Sequence, residues 1–445
     1  MMRVVGDPFA PYAARAGAPV DRRRAAHLLR RAGFGAPRDA LERALAEGPD
    51  RTVERLVARR TDPAVAELDA VVRPLASGDE VRGLAAWWVA RMLRTGDPLR
   101  EKVALFWHGH FATSNAKVRD ARQMLGQLRL FLDLGLGRFD ALLAAIAEDP
   151  AMLSWLDGDR NRKGHPNENF ARELFELFTL GIGPYTERDV QEAARALTGW
   201  RRAGGRYRFV ATRHDDGEKE ILGRRGRFGA ADVLTLCVRH EATARRLATA
   251  LLRFFAHPDP PPAVIDEGTR RLAALQLDVG RWIELLLRSE WFHSDEVIEA
   301  RILSPVEFVV GHLRTLGARA DAKRAEAEVS RLGQALLRPP SVKGWDGESA
   351  WIQSASMIAR IACAGRLAAT SGDGLVHALA AEEIAGPADS PPERLAARAA
   401  AAVLFRDVAE TSIRTVAAYV RTASPGARPA AALAAVLSLP EASIG

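Results

Sequence analysis

Apolar residues recur at three- and four-residue spacing along almost the whole chain, and that period commits it to amphipathic α-helices. The pattern occupies 22–31, 38–47, 51–60, 81–94 and 98–107. It returns at 121–134, 138–147, 168–180, 187–199, 230–237, 241–256, 262–275, 279–288, 305–316, 323–337, 350–369 and 393–421. Helices that are apolar along one stripe must pack on one another, so the expected class is mainly α. With 445 residues, 48% of them hydrophobic and 27% charged, the chain can bury a large core, which excludes disordered and fibrous classes. Length alone allows about three domains. No internal repeat divides the chain, and the linker-like stretch 386–392 (GPADSPP) precedes C-terminal helices that remain amphipathic and should pack on the main body.

No run of 18 apolar residues is present, so no membrane span is expected. Arg22 to Arg24 resemble a twin-arginine export signal, but Arg30 and Arg31 interrupt the next stretch before an apolar region forms, so the expected location is cytoplasmic. Cys237 and Cys363 are too few for a disulfide framework or a thiolate metal site and read as small buried hydrophobes.

The net charge of +7 is mostly local. Residues 201–229 break the helical period, and their eight arginines and Lys219 stand against four acids. Glycines, the alternation from Tyr207 to Val210 and the turn residues Asp215-Asp216-Gly217 predict a β-hairpin or long ordered loop. A basic loop without a groove-reading helix is weak evidence for nucleic-acid binding, which is not expected. Only six basic residues are lysine. Lys163, Lys219 and Lys343 are places where a compact ammonium suits a role that a guanidinium cannot fill.

Four clusters carry chemistry. In HPNENFARELFELFTLG (165–181), an α-helical wheel with Asn169 at zero puts Glu173 at about 40°, Glu176 at about 340° and Arg172 at about 300°. The rest of that helix is apolar, so a narrow polar stripe is forced into a cleft or against other polar groups. Acid–base and carboxylate metal sites in helical proteins are built this way. A structural ion-pair network, Arg172 with Glu173 or Glu176, is the equal alternative, and Asn167 fits an N-cap. His108 and His110 lie two apart where Gly109 and Thr113-Ser114-Asn115 end a helix. With Glu173 and Glu176 they form a permissible ligand set for a divalent metal, or else they are hydrogen-bonded in a packed corner. His214, Asp215 and Lys219 form a turn that is either a solvated tip or an anion-binding lid. Finally, LRPPSVKGWDGESAW (337–351) offers Lys343 and Trp345 as a ligand wall or an interhelical plug. Thr186 with Asp189 and Ser304 with Glu307 fit capping boxes, so these acids read as caps.

Several long stretches together resemble a bacterial family known as domain of unknown function 1800. They are AAHLLRRAGFG near residue 25, PLREKVALFWHGHFATS (98–114), residues 149–200, the HDDGEKEILG turn, SPVEFVVGHLR and LLRPPSVKGWDGESAW. The resemblance implies one mainly helical unit and brings no established activity. Many members resemble exported proteins, and they often neighbour a second family that resembles sulfatases, so the resemblance implies a sulfatase-like protein partner. The residues themselves support a hydrolytic or metal-assisted enzyme acting on an anionic substrate beside helix 168–180. In that reading Glu173 and Glu176 are acid–base groups or ligands, Asn169 and Arg172 orient the substrate, and His214 and Lys219 close the site. The alternative is a non-catalytic binding or assembly partner whose buried polar network is structural.

Overall fold

A computed structural model describes residues 6–12, 21–58, 62–369, 376–378 and 380–445. Helices dominate it, and among the described residues strands occur only as three short antiparallel pairs. Helix starts follow local chemistry. Asp21, Asp120, Asp149 and Asp278 each accept a first-turn amide, and both capping boxes form. One apolar core extends from Phe9 to Ala442, with Trp88, Trp107 and Trp282 fully buried. Leu395, Val403, Val416 and Leu433 belong to it, so the helices on both sides of 386–392 share that core.

Two helices depart from simple periodicity. The 393–421 pattern breaks into Pro392–Val403 and Glu410–Thr422. At the break Phe405 takes a φ of 57° and buries its ring beside Leu29 and Leu41, which a continuous helix would not permit. The 168–180 segment is α-helical only over Asn169–Glu173 and widens into a π-helix over Leu174–Thr179. Each residue there advances by less than the α-helical step, so the wheel angle expected for Glu176 does not hold.

The basic insertion forms two hairpins where one was expected. Strands β1 (Trp200–Ala203) and β2 (Arg206–Phe209) make the first, and β3 (Lys219–Ile221) and β4 (Arg224–Gly226) the second. Their two-residue loops, Gly204-Gly205 and Leu222-Gly223, have positive φ throughout, the primed geometry that suits twisted strands. Asp215-Asp216-Gly217 is therefore not a hairpin tip; it lies between the hairpins. The second hairpin packs on helix Glu187–Ala196, and the first packs on the turn Gly158–Arg160.

Candidate functional site

The two histidines of the Trp107–Phe111 run are directed apart. His108 is buried against Trp88 and Trp345, and its Nε2 accepts the Leu337 amide at 3.0 Å. Nε2 of His110 meets the Phe178 carbonyl at 3.1 Å. Burial pulls His108 down to about 3 and His110 to about 4, so both are neutral. These commitments do not fit the metal set of His108, His110, Glu173 and Glu176. Among the described residues, no three His, Cys, Asp or Glu side chains stand close enough to hold a metal ion.

The polar stripe behaves differently from the expected ion-pair network. Arg172 turns away to Glu168 at 3.0 Å and to Glu187. Asn169 donates to the Leu156 carbonyl at 3.2 Å, and Asn167 Oδ1 accepts the Asn169 amide, an Asx turn that opens the helix. Glu173 and Glu176 are half-buried and have no cationic side chain within ion-pair distance among the described residues. Burial, and then the neighbouring Glu176, push the Glu173 carboxyl above its ordinary value, while Arg172 and then Lys343 pull the other way. Glu176 lies in the field of Arg246.

The insertion residues close on themselves. His214 Nδ1 bonds the Thr198 carbonyl at 3.0 Å. Asp215 is held by the Arg195 guanidinium at 2.8 and 3.2 Å, which lowers it to about 2. Lys219 is buried with its ammonium on the Asp215 and Gly217 carbonyls at 2.6 and 2.9 Å. Lys163 pairs with Asp216 at 2.8 Å. Asp215 therefore fastens the insertion to helix Glu187–Ala196 through Arg195, His214 ties it to Thr198 just beyond that helix, Lys219 closes the turn on its own carbonyls, and no residue of 201–229 lines the cleft described next.

That cleft has a volume of about 510 Å³ and lies between helix Pro98–His110, the end of helix Glu241–Phe255, the start of helix Pro305–Thr315 and the 338–352 loop. Its size suits a small organic ligand. The loop sits hard on the 98–110 helix. Gly344 has a φ of 80°, and a Cβ there would stand 2.7 Å from the Gly109 carbonyl oxygen. This close approach places Lys343 and Trp345 on the wall, facing Phe106, Phe254 and Trp351, with His110 at one end. Arg246 and Arg253 add positive charge at the rim. Arg246 Nε also binds the Leu177 carbonyl at 2.9 Å, so Arg246 and His110 together take two carbonyls at the end of the π-helix and tie the carboxylate-bearing segment to the cleft.

The floor is a buried charge cluster that the sequence reading missed. Glu307 caps its own helix by accepting the Ser304 amide, and it also receives Lys102, Arg301 and Arg31. Burial opposes its charge, but the three cations hold the carboxyl well below the carboxylate range. Burial draws Lys102 down to about 8 and Arg31 to about 9. Arg31 and Arg301 also bind the Phe254 carbonyl at the negative end of the 241–255 helix. Arg301 is 6% exposed; its Nε pairs with Glu348 at 3.1 Å, and its second terminal nitrogen makes no hydrogen bond to a described residue. Gln334 spends its oxygen on the Val306 amide at 3.0 Å, and its amide nitrogen likewise has no partner among the described residues. Two donors on buried side chains are thus left over at the cleft floor. The available signal was Lys102 itself, one of six lysines and, after Arg100 and Glu101, the last charge before the apolar stretch from Val103 to Trp107.

These elements define a mainly helical protein with an aromatic-walled cleft lined by Arg246, Arg253, Arg301 and Lys343 together with the acids Glu307, Asp346 and Glu348. Residues 27–444 match the family model described as Protein of unknown function (DUF1800), and the chain belongs to that family. Neither a curated protein nor a solved structure matches it. No helix of the described residues is long and apolar enough to cross a membrane.

Proposed function

We propose that the chain is a hydrolytic acid–base enzyme whose substrate is a small organic anion with an apolar body, bound in the cleft between Trp345 and Arg246. The carrying observation is the convergence of Arg246, Arg253, Arg301 and Lys343 on one aromatic-walled cavity, with a carboxylate pair just outside its lining that has no cationic side chain within ion-pair distance among the described residues. The anion would be held by Lys343, Arg253 and the free donors of Arg301 and Gln334, and its apolar part by Trp345, Trp351 and Phe254. Glu173, raised by burial beside Glu176, is the proton-transfer group: as base it takes a proton from the attacking water, and as acid it returns one to the leaving group. Asn167 and Asp215 play no part in this reading, and no step is routed through a metal.

The test is hydrolysis of p-nitrophenyl esters bearing a carboxylate, phosphate or sulfate group by purified protein. Turnover of one class should fall about 100-fold or more in Glu173→Gln with little change in KM. Lys343→Gln should instead raise KM. The pH dependence should show an ionisation above the ordinary glutamate value of 4.5 that Glu173→Gln removes. An anion that stabilises the protein but is never turned over points to the non-catalytic alternative, a binding or assembly partner.

A further inference from the structure

Charge is arranged unusually around the first hairpin. The register sets Arg201 directly opposite Arg208 and Ala203 opposite Arg206, so one face of the hairpin carries three arginines and no acid. Like charges directly opposite in an antiparallel pair repel. The other face is packed, with Trp200 against Tyr207 at 5.8 Å and Arg202 directed to Asp159 at 3.5 Å. The arginine face joins the turn at 160–168. There Arg162, Arg201, Arg213 and His165 border a shallow depression of about 630 Å³.

Arg162, Arg201, Arg208 and Arg213 make no side-chain hydrogen bond or ion pair with a described residue. The one acid bordering the depression, Glu168, is already turned to Arg172 at 3.0 Å, and Arg160 has Asp157 at 3.6 Å. The scaffold beneath is stiff. Buried Asn161 donates to the Ala194 carbonyl at 2.8 Å and accepts the Asn167 amide at 2.9 Å. Its own carbonyl takes the Gly199 amide at 3.3 Å, and the Lys163 amide reaches the Arg213 carbonyl at 2.7 Å. Guanidinium groups are thus crowded together on a preorganised base with no protein anion to offset them.

We propose that this depression is a second binding site, separate from the cleft, for a multiply charged oxyanion: a phosphate- or sulfate-bearing group held by Arg162, Arg201 and Arg213, with Arg208 and His165 at its edge. The guanidinium forks match tetrahedral oxyanions in charge and geometry, and a bound anion removes the repulsion that the hairpin register imposes. The site does not depend on the reading of the cleft.

The experiment is calorimetric titration of the full chain at low salt with inorganic pyrophosphate and, separately, inorganic sulfate. It uses wild type, Arg201→Gln, Arg213→Gln and, as a cleft control, Lys343→Gln. Wild type should bind at least one of the two anions, and the stronger of them assigns phosphate or sulfate chemistry. Arg201→Gln and Arg213→Gln should each weaken binding about tenfold or more, and by the same factor when the cleft is disabled by Lys343→Gln. Without ligand, Arg201→Gln should melt at or above the wild-type temperature, because it relieves repulsion from Arg208; a merely structural arginine would lower it. Absence of binding, binding lost only in Lys343→Gln, or a lower ligand-free melting temperature for Arg201→Gln overturns the proposal. So does a single-stranded oligonucleotide that binds with a steep salt dependence while pyrophosphate and sulfate do nothing.

Discussion

Mild acid should unfold this protein, through histidines buried as neutral rings. Nε2 of His27, His293 and His312 meets the backbone carbonyls of Phe292, Leu287 and Ala442 at 3.1, 3.0 and 2.9 Å, and Nε2 of His108 accepts an amide. Charging any of these rings would put a proton where no carboxylate is within hydrogen-bond reach among the described residues. Burial accordingly pulls His108 and His312 down to about 3 and His293 to about 4, and His27 well below its ordinary value. In the unfolded chain each returns to 6.5. Above 6.5 both states are neutral and the shift has no effect on stability. As pH falls below 6.5 the unfolded chain takes up protons that the folded protein refuses, so stability is lost until the folded values are reached.

Between pH 7 and pH 5 the loss is about 2 kcal/mol for each of His108, His110, His293 and His312, about 8 kcal/mol together, with His27 acting in the same direction; Asp149, pushed up to about 7 by burial, takes up a proton in the folded state over the same window and returns about 2 kcal/mol, leaving a net loss of about 6 kcal/mol. That is a large part of a typical stability of about 5–15 kcal/mol. Urea unfolding followed by circular dichroism at pH 7, 6 and 5 should show the midpoint collapsing, and His312→Gln should flatten the dependence by one histidine's share. An unfolding free energy at pH 5 within about 1 kcal/mol of that at pH 7 would refute the burial argument.

Three further outcomes are expected. Glu307→Gln should cost about 3–5 kcal/mol in urea unfolding, because Lys102, Arg31 and Arg301 lose their shared anion; Lys102→Met should cost less, since two cations remain on Glu307, and equal losses would contradict the cluster's centre. Gly344→Ala should weaken anion binding in the cleft by pushing the Lys343–Trp345 loop off the Gly109 carbonyl, while Gly426→Ala, where a Cβ meets nothing within 4 Å, should bind as wild type does. Lys219→Arg should destabilise by about 1–3 kcal/mol, because the larger guanidinium must enter a buried slot built on two carbonyls; unchanged stability would show that the compact ammonium is not required there.

The candidate site was legible in pieces. Ser304-Pro305-Val306-Glu307 marks Glu307 as a cap but not its second role, because Lys102 and Arg31 come from remote helices and Arg301 from the irregular segment just before it. Lys343 and Trp345 were found from the Pro- and Gly-rich loop, and His110 from its neighbours, but Arg246, Arg253, Arg301 and Gln334 carry no local mark that separates them from other polar residues on helices and loops. His214 and Lys219 looked chemical by composition. The structure spends them on carbonyls, since a polar group in a tight turn satisfies the nearest backbone first.

The sequence by itself determined the mainly helical class, the capped helix starts, the glycine-turned hairpin segment and the crowding of positive charge within it. Each depends on groups a few residues apart, whose geometry the backbone period supplies. Tertiary structure alone decided that Arg172 leaves the carboxylate stripe for Glu187, that the helix widens at Leu174, and that Lys102, Arg31 and Arg301 gather on Glu307 beneath the cleft. Those outcomes depend on which distant surfaces pack, and a buried charge takes the partner that packing brings to it.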